Sequence, residues 1–108
     1  MQKPIYQERG GLRKGKSFCL ALNITWPLVK IKVFPEKIII KYPFQSKIKI
    51  SKKEIKSIKK FQGILGPFGK GIRILHYKNS LDPFLVFWSF SRNKLLNKLE
   101  KEGYPIKK

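Results

Sequence analysis

Negative charge is what this sequence has least of. Six Asp and Glu stand against twenty-five Lys and Arg, a formal net charge of +19. An excess of that size repels itself in the compact state and draws anionic partners. Nucleic acid, an anionic membrane surface and an acidic protein all qualify. Twenty-one lysines beside fourteen isoleucines carry the mark of a codon bias, but such a bias does not explain the shortage of acids. Cysteine is nearly absent as well. Cys19, alone, excludes an intrachain disulfide and a cysteine-based metal site. In the apolar run Phe18–Leu22 it reads as a buried thiol suited to a reducing cytoplasm.

Histidine occurs once, as His76, with no acid or cysteine close by in sequence, so it reads as a structural residue. The acids Glu8, Glu36, Glu54, Asp82, Glu100 and Glu102 are scattered, and no two are spaced for acid–base work or metal ligation. The expectation is a non-enzymatic protein without metal or cofactor. Long apolar runs are missing too: none approaches the roughly 18 residues that a membrane-spanning helix needs. The basic residues of 9–16 followed by FCLALNITWPLV faintly resemble an export signal. Asn23 and Thr25 interrupt that run, so residues 18–26 read as a strand instead.

What is present suits one small domain. A chain of 108 residues buries about 60–65% of its extended surface. Its 42% hydrophobic content is too high for a disordered chain. Residues 1–16, with Gly10-Gly11 and five basic residues, read as a flexible N-terminal arm. A β domain follows over 17–104, and 105–108 form a basic tail. Short apolar segments at 18–24, 28–34, 37–42, 44–50, 55–61, 72–77 and 84–90 predict seven strands, broken at Trp26-Pro27, Pro35-Glu36 and Pro43. Val29, Ile31 and Val33 alternate with Lys30 and Lys32. Ile38 and Ile40 alternate with Lys37 and Lys41, and Ile48 and Ile50 with Lys47 and Lys49. This period of two marks half-buried antiparallel strands, and the first four segments read as a meander. In 51–61 a helical turn runs into a strand. Leu95, Leu96 and Leu99 line one side of a helix over about 92–102, with Ser91 as its cap, Gly103 as its stop and Pro105 beyond. Arg92 and Lys94 crowd the positive end of this helix and Glu100 and Glu102 the negative end, each costing about 0.3–1 kcal/mol when exposed. Such a helix forms by docking its leucines on the β core.

The stretch 63-GILGPFGKG-71 looks like a phosphate-gripping loop. That loop requires G-x-x-x-x-G-K-[ST] opening a helix. With Gly69-Lys70 as the Gly-Lys pair, Ile64 stands where the first glycine belongs and Gly71 where the hydroxyl belongs. The strand pattern IRILHY follows, not a helix. A long hairpin connection is the reading that survives. Ile64, Leu65 and Phe68 at its tip either fold back over the open end of the core or, with Lys70, contact a partner or a membrane.

Lys30, Lys32, Lys37, Lys41, Lys47 and Lys49 share one outer face if 28–50 is a meander. Solvated faces are often charged, and lysine protects strand edges from aggregation. Yet like charges across strands are unfavourable, so a face of one sign also fits an anion in use. For nucleic acid, KGIRILHY (70–77) matches the RNA-recognition signature at Lys70, Gly71 and Tyr77, but Ile72 and Ile74 occupy the stacking positions. Unspecific, charge-driven binding is what remains of that reading.

Seven strands, the ISKKEIKSI segment before the fifth, and SRNKLLNKLEKEG straight after a Phe/Trp-rich last strand resemble the pleckstrin-homology-like superfold, particularly its small bacterial members. The resemblance covers residues 18–103. It implies a mainly β fold: a seven-stranded antiparallel barrel of two near-orthogonal sheets capped by the C-terminal helix. It places Lys30 and Lys32 in the second strand, near the basic residues of lipid-binding relatives, with Ile24–Pro27 as the first connection. The functional expectation is a cytoplasmic binding module, peripheral at an anionic membrane or on a membrane-associated acidic protein. A protein-interaction or oligomerisation module is the second reading, and an unspecific nucleic-acid binder the third.

Overall fold

Isoleucine and valine at every second position give the strands one dry face, and the structure turns those faces inward. The computed structural model describes residues 3–15, 22–44, 46–63 and 69–107. They form β1 (Tyr6–Lys14), β2 (Leu22–Val33), β3 (Lys37–Tyr42), β4 (Ser46–Ser51), β5 (Ile55–Gln62), β6 (Lys70–His76), β7 (Leu85–Trp88) and α1 (Arg92–Lys101), with a 3-10 turn at Lys52–Glu54 before β5. The strands build one antiparallel sheet in the order β4-β3-β2-β1-β7-β6-β5.

That order forces curvature. β4 and β5 are the two outer strands, yet only the three residues of the 3-10 turn separate them. In a flat seven-stranded sheet the outer strands would lie about 29 Å apart. A link of three residues spans at most about 14 Å. The sheet therefore curls into a half-barrel around Val29, Ile31, Val33, Ile38, Ile40, Ile50, Ile58, Ile72, Ile74 and Phe87, all fully buried. This curled, mainly β arrangement with one terminal helix is compatible with a pleckstrin-homology-like barrel.

Leu95, Leu96 and Leu99 of α1 are buried on the core. The helix ends where Gly103 adopts φ +85°, a conformation that glycine accepts without a Cβ clash. Gly103 N–H donates to Glu100 O at 3.0 Å and Tyr104 N–H to Leu99 O at 3.1 Å, which satisfies the last carbonyls. The Tyr104 hydroxyl then donates to Phe34 O at 2.7 Å and ties the helix end to the β2–β3 turn. Ser91 holds the N-cap position without a side-chain cap bond. Its own N–H donates to Ser89 Oγ at 3.0 Å.

Both outer edges are partly occupied. On β5, Ile58 N–H donates to Pro105 O at 2.8 Å and Lys107 N–H donates to Ile58 O at 2.8 Å, so the tail docks as a parallel bridge. On β4, the Lys78 ammonium donates to Lys49 O at 2.8 Å and Ser51 N–H to Glu54 Oε1 at 3.0 Å.

The N-terminal expectation is corrected. Residues 6–14 are not an arm but strand β1, in the middle of the sheet between β2 and β7. Its inward side carries Tyr6, Glu8, Gly10 and Leu12, so it has no apolar alternation to read. The first connection consequently runs from β1 to β2 rather than through residues 24–27. The expected strands at 18–24 and 28–34 are also corrected, because residues 22–33 are continuous. From the pair Gly10/Val29 to the pair Leu12/Ile24, β1 advances two residues and β2 five. The surplus, around Thr25–Leu28, bulges out with the cis Trp26-Pro27 bond. A bulge is where a strand tolerates proline. Cys19 and residues 64–68 lie outside the described residues.

Candidate functional site

Alternation sends the lysines of β2–β4 to the convex face, and strand register lines them up. Arg9 pairs with Lys30, Lys30 with Lys41, and Lys41 with Lys47. Four cations on four adjacent strands thus form one row about 15 Å long, at roughly 5 Å per step. The next row holds Gln7, Lys32, Ile39 and Lys49, and Lys37 stands beyond it opposite Ser51. All six expected lysines therefore share this face. Arg9 joins them, unforeseen because β1 was unforeseen.

No acid occurs in β2, β3 or β4. The one acid of β1, Glu8, points to the concave side and accepts a hydrogen bond from Ser89 Oγ at 2.7 Å. Burial raises its pKa above the usual carboxylate value. On the convex face the field has the opposite consequence. The neighbouring Lys32 ammonium lowers the pKa of Lys41. Lys37 is drawn partly aside, its ammonium 5.3 Å from the Phe34 ring centroid.

One end of this face carries apolar side chains. Continuing past the four-cation row, β2 reaches Leu28 and Trp26 in the bulge, and β3 reaches Phe44 in its turn. Their exposures are 56%, 54% and 98%. Phe44 holds φ 66°, unusual for a residue with a Cβ. Phe90, from the β7–α1 connection, meets Trp26 edge-on at 5.7 Å and is itself exposed. The bulge is anchored to the row, since the Arg9 guanidinium reaches Pro27 O at 3.5 Å. Leu28 thus stands two strand residues, about 7 Å, beyond Lys30, with Trp26 further along the same strand and Phe44 three residues past Lys41. Trp26, Leu28 and Phe44 were legible as residue types. Their shared end of the sheet was not.

Other expected residues lie elsewhere. Ile64, Leu65 and Phe68 are outside the described residues. Lys70 opens β6, which β7 and β1 separate from the lysine face. Gly63 N–H donates to Gly69 O at 2.7 Å, closing the glycine-rich connection as a hairpin. His76 accepts from Lys78 N–H through Nδ1 at 3.1 Å and meets Asp82 O through Nε2 at 2.8 Å, so both ring nitrogens are engaged. Among the described residues, no group of three His, Cys, Asp or Glu could hold a metal, and no helix is long and apolar enough to cross a membrane.

No protein-family model matches the chain, and no curated protein matches it. Among solved structures it is similar to the C-terminal domain of an unknown protein from Leishmania infantum, with a TM-score of 0.61 at 13% identity over 93% of this chain and 83% of that one. At that identity the likeness is one of fold alone.

Proposed function

We propose that the chain is a non-enzymatic, pleckstrin-homology-like module that docks peripherally on the anionic cytoplasmic surface of a membrane. The observation that supports this best is the Arg9–Lys30–Lys41–Lys47 row set directly below the exposed rim of Trp26, Leu28 and Phe44. Basic residues near anionic lipid contribute about 1 kcal/mol each and weaken with salt. Four of them alone give weak attachment. Burying the exposed parts of the rim adds a second contribution, at about 25 cal/mol per Å² of apolar area. Tryptophan is favoured at the headgroup level, where one part of its ring is dry and another wet. A convex row of like point charges suits a bilayer of many similar headgroups better than one specific ligand.

The test is co-sedimentation with phosphatidylcholine vesicles and with mixed phosphatidylcholine–phosphatidylserine vesicles. The protein pellets with the mixed vesicles and is released by salt. Lys30→Ala and Lys41→Ala weaken pelleting and flatten its salt dependence, whereas Trp26→Ala and Leu28→Ser weaken it at every salt concentration. Equal pelleting with the neutral vesicles overturns the reading.

A further inference from the structure

The other half of the convex face is built differently. Register places Gly11, Trp88, Gly71 and Phe61 in one row across β1, β7, β6 and β5, and Arg13, Val86, Arg73 and Lys59 in the next. The rows lie about 7 Å apart. Trp88 rests on a floor of glycines. A Cβ added at Gly11 would lie 3.1 Å from its Cδ1, one at Gly71 3.0 Å from its Cε3, and one at Gly63 3.0 Å from its Cη2. Atoms from both sides of the indole and from its far corner thus meet bare backbone, so the ring lies across the sheet and not upright on it. The glycines that suggested a phosphate loop supply this floor.

Phe61 meets Trp88 at 5.6 Å and 60°, and Phe84 meets Phe61 at 5.6 Å and 86°. The Arg73 guanidinium sits 4.4 Å from the Phe84 centroid and that of Arg13 5.4 Å. Arg73 Nε is buried without a hydrogen-bond partner among the described residues. All three rings are half-buried. A ring lying on a floor cannot insert into a bilayer as Trp26 and Phe44 can, but it offers a face to a planar group.

We infer that this half of the sheet is a stacking platform for single-stranded nucleic acid. Bases stack on Trp88 and Phe61, and the phosphates run along Arg13, Arg73 and Lys59. Every base has a π face, so rings of this kind bind without reading sequence, and cations beside them hold the backbone. The row Arg13–Val86–Arg73–Lys59 contains no acid, which fits a polyanion. The missing stacking rings at Ile72 and Ile74 are no obstacle, because those side chains are fully buried in the core and adjacent strands supply the rings. The platform occupies β1 and β5–β7, the other half of the convex face from the lysine rows of β2–β4, and does not rest on the membrane reading.

The chain has two tryptophans, so Trp26→Phe leaves Trp88 as the sole indole. This variant of the full chain is titrated with oligodeoxythymidylate and with an abasic strand of equal length, following tryptophan emission. Oligodeoxythymidylate quenches Trp88 and binds at least about fivefold more tightly than the abasic strand, the ratio that a single weak stack provides. Phe61→Leu, which keeps an apolar filler, shrinks that ratio while leaving the affinity for the abasic strand unchanged, whereas Arg73→Ala weakens both strands alike and leaves the ratio as it was. Equal affinity for the two strands with unchanged emission overturns the inference and leaves the rings a packing role only. The parent ratio decides the matter even if a variant misfolds. No lipid is present, so failure here leaves the membrane reading untouched.

Discussion

Lys41 stands directly opposite Lys30 on β2, and Lys47 stands opposite Lys41 on the far side. Like charges placed so are unfavourable, and Lys32, one row away, separately lowers the pKa of Lys41. The fold retains an arrangement that an anion would relieve.

Lys41→Glu puts a carboxylate between two ammonium groups. The melting temperature rises at low ionic strength, and the gain fades as salt screens the pairs. Pelleting on phosphatidylserine-containing vesicles falls in the same variant. Stability and binding then move in opposite directions, as expected of a face kept for a partner. A melting temperature that stays level or drops at low salt would count against this account of the row.

Gly10→Ala tests the placement of β1. A Cβ there would lie 2.2 Å from Trp88 O and 2.5 Å from Phe87 Cζ, and the first of these is backbone that cannot swing aside. Overpacking of this kind costs about 1–3 kcal/mol, read as a lower urea midpoint. A glycine in an N-terminal arm would tolerate alanine with no change.

Glu8→Gln tests the concave side. Burial raises the folded pKa of Glu8 above its unfolded value, which is about 4.3 for a glutamate. The native state then holds the proton more tightly than the unfolded chain. Stability therefore falls as pH rises from the unfolded value through the folded one, and stays reduced above that window. Burial and the adjacent Glu8 carboxylate push the Tyr6 hydroxyl up to about 12, so Tyr6 stays a neutral neighbour at working pH. Glutamine preserves an acceptor for Ser89 without the charge. The variant melts above the parent at neutral pH, and the difference closes as the pH drops below about 4. A constant difference across that range would show that the charge is not responsible.

Several elements were legible because local chemistry alone produces them. In β3 and β4, Ile38, Ile40, Ile48 and Ile50 alternate with Lys37, Lys41, Lys47 and Lys49, and a period of two needs no partner to be recognised. The leucine stripe of α1 and its glycine stop are of the same kind. β1 was hidden because its inward side offers Glu8 and Gly10 where a strand usually shows isoleucine. Glu8 is satisfied by Ser89, eighty-one residues away, and Gly10 is required by the close approach of Phe87 and Trp88. Trp26-Pro27 signals a break in isolation, yet β2 continues past it because Ile24 finds Leu12 beyond the bulge.

The chain by itself determined a half-buried β architecture, an excess of cations and the face each lysine takes within its own strand, since alternation and charge are properties of neighbouring residues. Only the tertiary structure decided which cations stand side by side, which apolar groups border them and where Trp88 lies. Those follow from the register between strands, which is set by burial and hydrogen bonding between segments far apart, and a slip of one residue would have turned every side chain to the opposite face.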